Sequence, residues 1–148
     1  MATSKSDMQP KVITLKYHQT ACTAIPDIWY DFRTDTNGVC TLTNCTGRHP
    51  HEALRAEVPA EVADELTKIV REEKMKDYKD FYHPIYQVLD GWQWDLYVRF
   101  EDKSSISSSG HMEKPSGEGL KRLEEYFKQV WSQVDEAKAE TVNATVAP

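Results

Sequence analysis

Hydrophobic and polar positions alternate without a break from Trp92 to Phe100, where the chain runs Trp-Gln-Trp-Asp-Leu-Tyr-Val-Arg-Phe. Successive side chains of a strand point to opposite faces, so Trp92, Trp94, Leu96, Val98 and Phe100 make an apolar face and Gln93, Asp95, Tyr97, Arg99 and Glu101 a polar one. A sheet with one buried side follows. Asp90-Gly91 turns the chain into this strand, and Asp102-Lys103 forms the tip of a hairpin that returns through Ser104 to Ser109. Ile106 is the only large apolar side chain of the return, so that strand belongs at an edge, or its serines line an exposed face.

The same reading extends upstream. Val12 to His18 sets Ile13, Leu15 and Tyr17 against Val12, Thr14 and Lys16, a strand of two-sided character. Ile28, Tyr30 and Phe32 alternate with Trp29, Asp31 and Arg33. This run meets Val39 to Cys45 across Asp35-Thr36-Asn37-Gly38, and Asn-Gly accepts positive φ at low cost, which predicts a second hairpin. Leu54, Ala56 and Val58 make a short strand. Pro59 then opens a helix, because its missing amide donor costs nothing there, and Glu61 and Asp64 complement the positive end of the helix dipole. Val62, Leu66, Ile69 and Val70 recur at helical spacing, and the helix should run to about Lys74. An aromatic segment, Tyr78, Phe81, Tyr82, Ile85, Tyr86 and Leu89, is broken at His83-Pro84. After Pro115 a final helix carries Leu120, Leu123, Phe127, Val130, Trp131 and Val134 on one side. Past Lys138 periodicity is lost, which predicts a mobile tail.

These elements predict an α+β fold: a two-layer arrangement in which two helices cover one face of a mainly antiparallel sheet of about five or six strands. A single domain over residues 11–137 stands between a flexible leader, 1–10, and a flexible tail, 138–148. At 148 residues the chain can bury a core without disulfide or metal staples. A net charge of -6, with Lys and Arg scattered among Asp and Glu, argues against nucleic acid and against an anionic lipid surface. The polar stretch Met1 to Gln9 lacks the apolar core of a signal peptide, and no later stretch approaches the roughly 20 apolar residues needed to span a bilayer. The expectation is therefore cytoplasmic. Three cysteines, Cys22, Cys40 and Cys45, give no paired framework and fit a reducing compartment.

Leu89-Asp90-Gly91-Trp92-Gln93-Trp94-Asp95-Leu96-Tyr97-Val98, followed by Asp102, Ser109-Gly110, Pro115 and then Leu123 with Tyr126-Phe127, resembles a group of small uncharacterised bacterial α+β proteins, a domain of unknown function. Their pattern is an Asp-Gly, a Trp on an alternating strand, an Asp-Gly turn, a Ser-Gly, a Pro and a final amphipathic helix. The chain departs from it at Asp102-Lys103, where the group usually has glycine. The likeness implies a fold and carries no activity, since each motif position is explained as a turn, a core tryptophan, a bulge or a helix start.

Candidate chemistry is sparse. Cys40, Cys45, His49 and His51 combine thiolate and imidazole ligands within a short loop and could close a tetrahedral zinc site. A continuous strand from Val39 to Cys45 would put the two cysteines on opposite faces, and the spacing matches no common zinc signature, so ordinary strand cysteines beside a polar loop are the competing reading. A cysteine nucleophile would need a histidine that only folding could supply, from among His18, His49, His51, His83 and His111. Ser107-Ser108-Ser109-Gly110-His111 lacks the elbow that exposes a serine nucleophile. No nucleotide-binding loop is present, and no cofactor is expected. The aromatic residues are more informative: Trp29 and Tyr97 lie on strand faces opposite the apolar ones, and Tyr78 and Tyr82 sit between helix and hairpin. Such rings bury area at low entropy cost, so they could dock a protein partner, or they could fill a second small core. The sequence thus points to a non-enzymatic binding or regulatory domain acting through a protein surface. The alternative is a small metal-binding protein or enzyme using the Cys40 to His51 region with His18 or His83.

Overall fold

The computed structural model describes residues 10–21, 23–84 and 91–144. Among these, the order along the chain is β1 (Val12–Thr20), β2 (Ile28–Thr34), β3 (Cys40–Asn44), β4 (Ala53–Val58), α1 (Glu61–Glu72), β5 (Phe81–Tyr82), β6 (Gln93–Phe100), β7 (Ser105–His111), α2 (Gly119–Trp131) and β8 (Glu140–Val142). All eight strands join one sheet in the spatial order β5-β7-β6-β1-β2-β3-β4-β8. Every neighbouring pair is antiparallel except β5 and β7, which run parallel. No helix among the described residues is long and apolar enough to cross a membrane.

Two hairpins and a central strand build this sheet. Between β2 and β3 the Asp35 carboxylate accepts from the backbone amides of Asn37 and Val39, at 2.8 and 2.9 Å, and Gly38 takes φ +82°. β1 lies between β2 and β6, so the two hairpins are joined through it. Leu15, Tyr17, Ile28, Tyr30, Phe32, Leu42, Trp94, Leu96, Val98 and Phe100 are all buried on one face. Val62, Leu66, Ile69 and Val70 of α1, with Leu120, Leu123, Phe127 and Val130 of α2, close over them in the same core. Tyr30 stacks on Phe127 with ring centroids 5.0 Å apart. Arg122 of α2 donates to Glu72 and Glu73 at the end of α1, at 2.8 and 2.9 Å, and ties the two helices together.

The sheet has eight strands rather than about five or six. The additions are edge strands: β5 pairs with Ser109-Gly110 of β7, and β8 pairs with Ala53, Leu54 and Arg55 of β4. Segments of two and three residues are too short to show an alternation, and only the neighbouring strand makes them extended. β8 falls within the aperiodic stretch expected as a tail. β7 lies one place in from the edge only where β5 accompanies it, and Ser105 and Ser107 stay exposed. In β1 the register slips between Val12 and Thr14, so Val12, not Ile13, joins Leu15 and Tyr17 in the core. One extra residue on a strand reverses the facing of everything before it. Helix α1 ends at Glu72, two residues short of the expected limit, and Lys74 takes φ +53°. The leader Met1 to Gln9, and Cys22, Ile85, Tyr86, Leu89 and Asp90, lie outside the described residues.

Candidate functional site

Every second residue of the sheet points away from the helices, and the strand register defines how these residues neighbour one another. Directly opposite residues share a face, so Ser109, Asp95, His18 and Trp29 form one row across β7, β6, β1 and β2. Ser107, Tyr97, Lys16, Asp31, Thr43 and Arg55 form the next, extending into β3 and β4. Ser105, Arg99, Thr14, Arg33, Thr41 and Glu57 form the third. Among the described residues no helix packs on this face.

His18 stands in the first row and reaches Asp31 of the second. Its ring lies flat on the indole of Trp29, with centroids 3.5 Å apart and planes 7° from parallel. Nε2 stands 2.5 Å from Asp31 Oδ1, and Nδ1 stands 3.5 Å from Asp95 Oδ2. A ring protonated on both nitrogens can donate to both carboxylates, whereas a neutral ring can donate to one. The histidine side chain is 11% exposed, against 59% for Asp95, so the ring is held inside the row while a carboxylate rises beside it. Loss of water on its inner side raises the Asp95 carboxyl above its ordinary value despite the open outer edge; His18 opposes the rise and Asp31 adds to it. Trp29 is half-buried, and its indole Nε1 has no hydrogen-bond partner among the described residues. Tyr97 is half-buried on the same face, two residues along β6 from Asp95 of the His18 row.

The four aromatic residues singled out from sequence do not form one surface. Trp29 and Tyr97 share the helix-free face. Tyr78 and Tyr82 instead pack against the core on the helix side of the sheet, edge to face at 6.5 Å, with Tyr82 5.9 Å from Trp94. Burial raises Tyr78 to about 12, with help from Glu73. His18 was visible in the sequence only as one histidine among five. Its pairing with Asp31 and Asp95 depends on β1 lying between β2 and β6, which no local pattern shows.

The Cys40 to His51 residues are dispersed. Cys40 faces the core at the start of β3, its sulfur 3.4 Å from the Thr34 hydroxyl. Cys45 lies just past the other end of β3, and its thiol donates to the carbonyls of Arg48 and His49, at 3.5 and 3.6 Å. Burial pushes the Cys45 thiol up, opposed by Arg48, which keeps it protonated and a poor nucleophile. His49 and His51 are exposed and stacked at 4.9 Å. No group of three or more His, Cys, Asp or Glu side chains among the described residues is arranged to hold a metal ion.

A cleft of about 620 Å³ opens between β4, the start of α1 and the end of α2, floored by Val58, Val62 and Val130 and rimmed by Glu57, Glu61 and Asp135. Its walls carry neither histidine nor cysteine. The chain matches no protein-family model and no curated protein sequence.

Proposed function

We propose that the chain is a small non-enzymatic binding domain that recognises a protein partner on the helix-free face of its sheet. The observation that carries this reading is the Trp29-His18 stack, braced by Asp31 and Asp95 on a face that no helix of the described residues covers. Aromatic rings held in a fixed orientation are the groups that anchor interfaces, because little side-chain entropy remains to be lost on binding. Among the described residues no serine or threonine hydroxyl of this face hydrogen-bonds a histidine, and the Cys45 thiol is turned into backbone carbonyls. Tyr97, in the adjoining row, extends the anchor.

A photo-crosslinking residue at Tyr97, compared with one at Lys121 on α2, identifies the partner in the source cells. Calorimetry with the purified partner then compares the parent chain with Trp29→Ala/Tyr97→Ala. The double variant should keep its circular dichroism and lose at least about 2 kcal/mol of binding free energy, the level of an interface hot spot. Unfolding of the variant, or unchanged affinity, overturns the reading.

A further inference from the structure

The two carboxylates at the His18 ring are held unequally. Nε2 and Asp31 Oδ1 are as close as a charge-assisted hydrogen bond comes, whereas Nδ1 and Asp95 Oδ2 are 3.5 Å apart. Asp31 is also the less exposed of the two side chains, so its bond is the costlier one to break. The Trp29 indole lies against the ring at 3.5 Å and 7° from parallel. A flip that exchanged the two nitrogens would drive the imidazole through the indole, so each nitrogen keeps its own carboxylate. The remaining charged and titratable groups around the ring come from four strands. Lys16 of β1 stands opposite Asp31 and acts on Asp95. Tyr97 of β6 stands opposite Lys16. Cys45, just past β3, has its thiol under the influence of Asp31. His111 of β7 stands two strands away, opposite Gln93 and so in the row of Gln93 and Thr20.

Resting on the binding reading above, we infer that His18 is a proton-operated latch on this surface: protonated on both nitrogens it joins Asp31 to Asp95 beneath Trp29, and on losing the Nδ1 proton it releases Asp95 and keeps Asp31. Imidazole is the side chain whose charge changes between about pH 5 and 8. The proton that leaves Nδ1 passes to water, and Nε2 goes on donating to Asp31. A bare Nδ1 then turns a lone pair toward a carboxylate, two acceptors with no hydrogen between them, and the exposed Asp95 side chain is free to swing into solvent. The ring also loses the positive charge that the indole face attracts, which loosens the hold on Trp29. The latch has an acid limit as well. Loss of water raises the Asp95 carboxyl above its ordinary value, so Asp95 is the first of its kind to lose its charge as pH falls and the contact weakens from the other side. Partner capture by Trp29 is therefore strongest between these two protonation steps, where the ring is charged and Asp95 is ionised.

Nitrogen-15 NMR of the histidine rings of the full chain, followed across the imidazole range, reads the latch with protons as the only ligand. As pH rises the His18 Nδ1 signal should move to that of a bare nitrogen while Nε2 stays protonated, and the Asp95 carboxyl carbon should shift in the same step. In Asp95→Asn the affinity of the ring for its proton should fall about twofold or more, the size of a partly exposed ion pair, and Lys121→Gln on α2 should leave it unchanged. Loss of the proton from Nε2, equal loss from both nitrogens, an Asp95 carbon that ignores the His18 step, or an unaltered ring in Asp95→Asn overturns the latch. Calorimetry with the crosslinked partner at about pH 6 and pH 8 then reads its consequence. The parent chain should bind about threefold or more tighter at the lower pH, and Asp95→Asn should lose that difference; equal affinities in the parent overturn the regulation. The binding reading fails separately, on unchanged affinity in Trp29→Ala/Tyr97→Ala, and that result leaves the NMR titration untouched.

Discussion

Gly110 shows how one residue can be constrained by packing alone. It sits on the core side of β7 opposite Trp94, whose indole Nε1 donates to the Glu113 carbonyl at 2.7 Å. A Cβ at Gly110 would collide with both the indole nitrogen and that carbonyl oxygen. Gly110→Ala should therefore destabilise the protein by about 1–3 kcal/mol, the range for overpacking, as read from urea denaturation. A loss below about 0.5 kcal/mol would show that Trp94 can shift without cost. The Ser-Gly pair was legible in sequence, but as a bulge or strand end. Its real constraint comes from a ring sixteen residues earlier in the chain, which the sequence cannot place beside it. His18 illustrates the same limit, since its two carboxylate neighbours belong to different strands.

At the scale of elements, local chemistry was more telling. The turn between β2 and β3 rests on Asp35 and on Gly38 at φ +82°, and nothing lies within 4 Å of a Cβ built at that glycine. Gly38→Ala should thus cost about 1–2 kcal/mol through backbone conformation alone, the penalty of a left-handed L-residue. Thermal unfolding of this variant beside Gly38→Asn separates the causes: asparagine tolerates positive φ and should recover part of the loss, whereas a steric cause would make it worse. The long strands and both helices were readable because each carries several periods of its own pattern. β5 and β8 were not, because two or three residues hold no period and the pairing partner decides their conformation. The slip at Ile13 was hidden for a related reason: a bulge is a property of the pair β1 and β6, and each strand looks regular by itself.

For the whole molecule, the side of the sheet that carries the helices holds a set of tyrosines whose hydroxyls have been drawn away from water. Burial raises Tyr78 and Tyr126 to about 12, and Tyr17 and Tyr30 also above their ordinary value. The neutral phenol is the form the fold favours. Below about pH 10 both folded and unfolded chains keep their phenol protons, and this contribution to stability is present in full. As pH rises from about 10 toward 12 the unfolded chain releases protons first, so stability must fall across that window. Melting temperatures taken from pH 8 to 12 should stay level and then drop above pH 10, with the ring signals of Tyr17, Tyr30, Tyr78 and Tyr126, followed one by one by NMR, turning to phenolate only as the protein unfolds. Phenolate appearing near pH 10 at any of these four rings in the folded protein would contradict their burial.

What the sequence determined by itself is the identity of the two layers. Alternation along β2, β3 and β6 and helical spacing along α1 and α2 decide which side chains avoid water, and burying them leaves a mainly antiparallel sheet with both helices on one side. That result is local because each element carries its own apolar face. The tertiary structure alone decided which polar residues meet on the other face. Strand order puts Asp95 and Asp31 on either side of His18, and Arg99 and Arg33 on either side of Thr14. These contacts join residues far apart in the chain, and polar side chains leave no periodic trace of where they will converge.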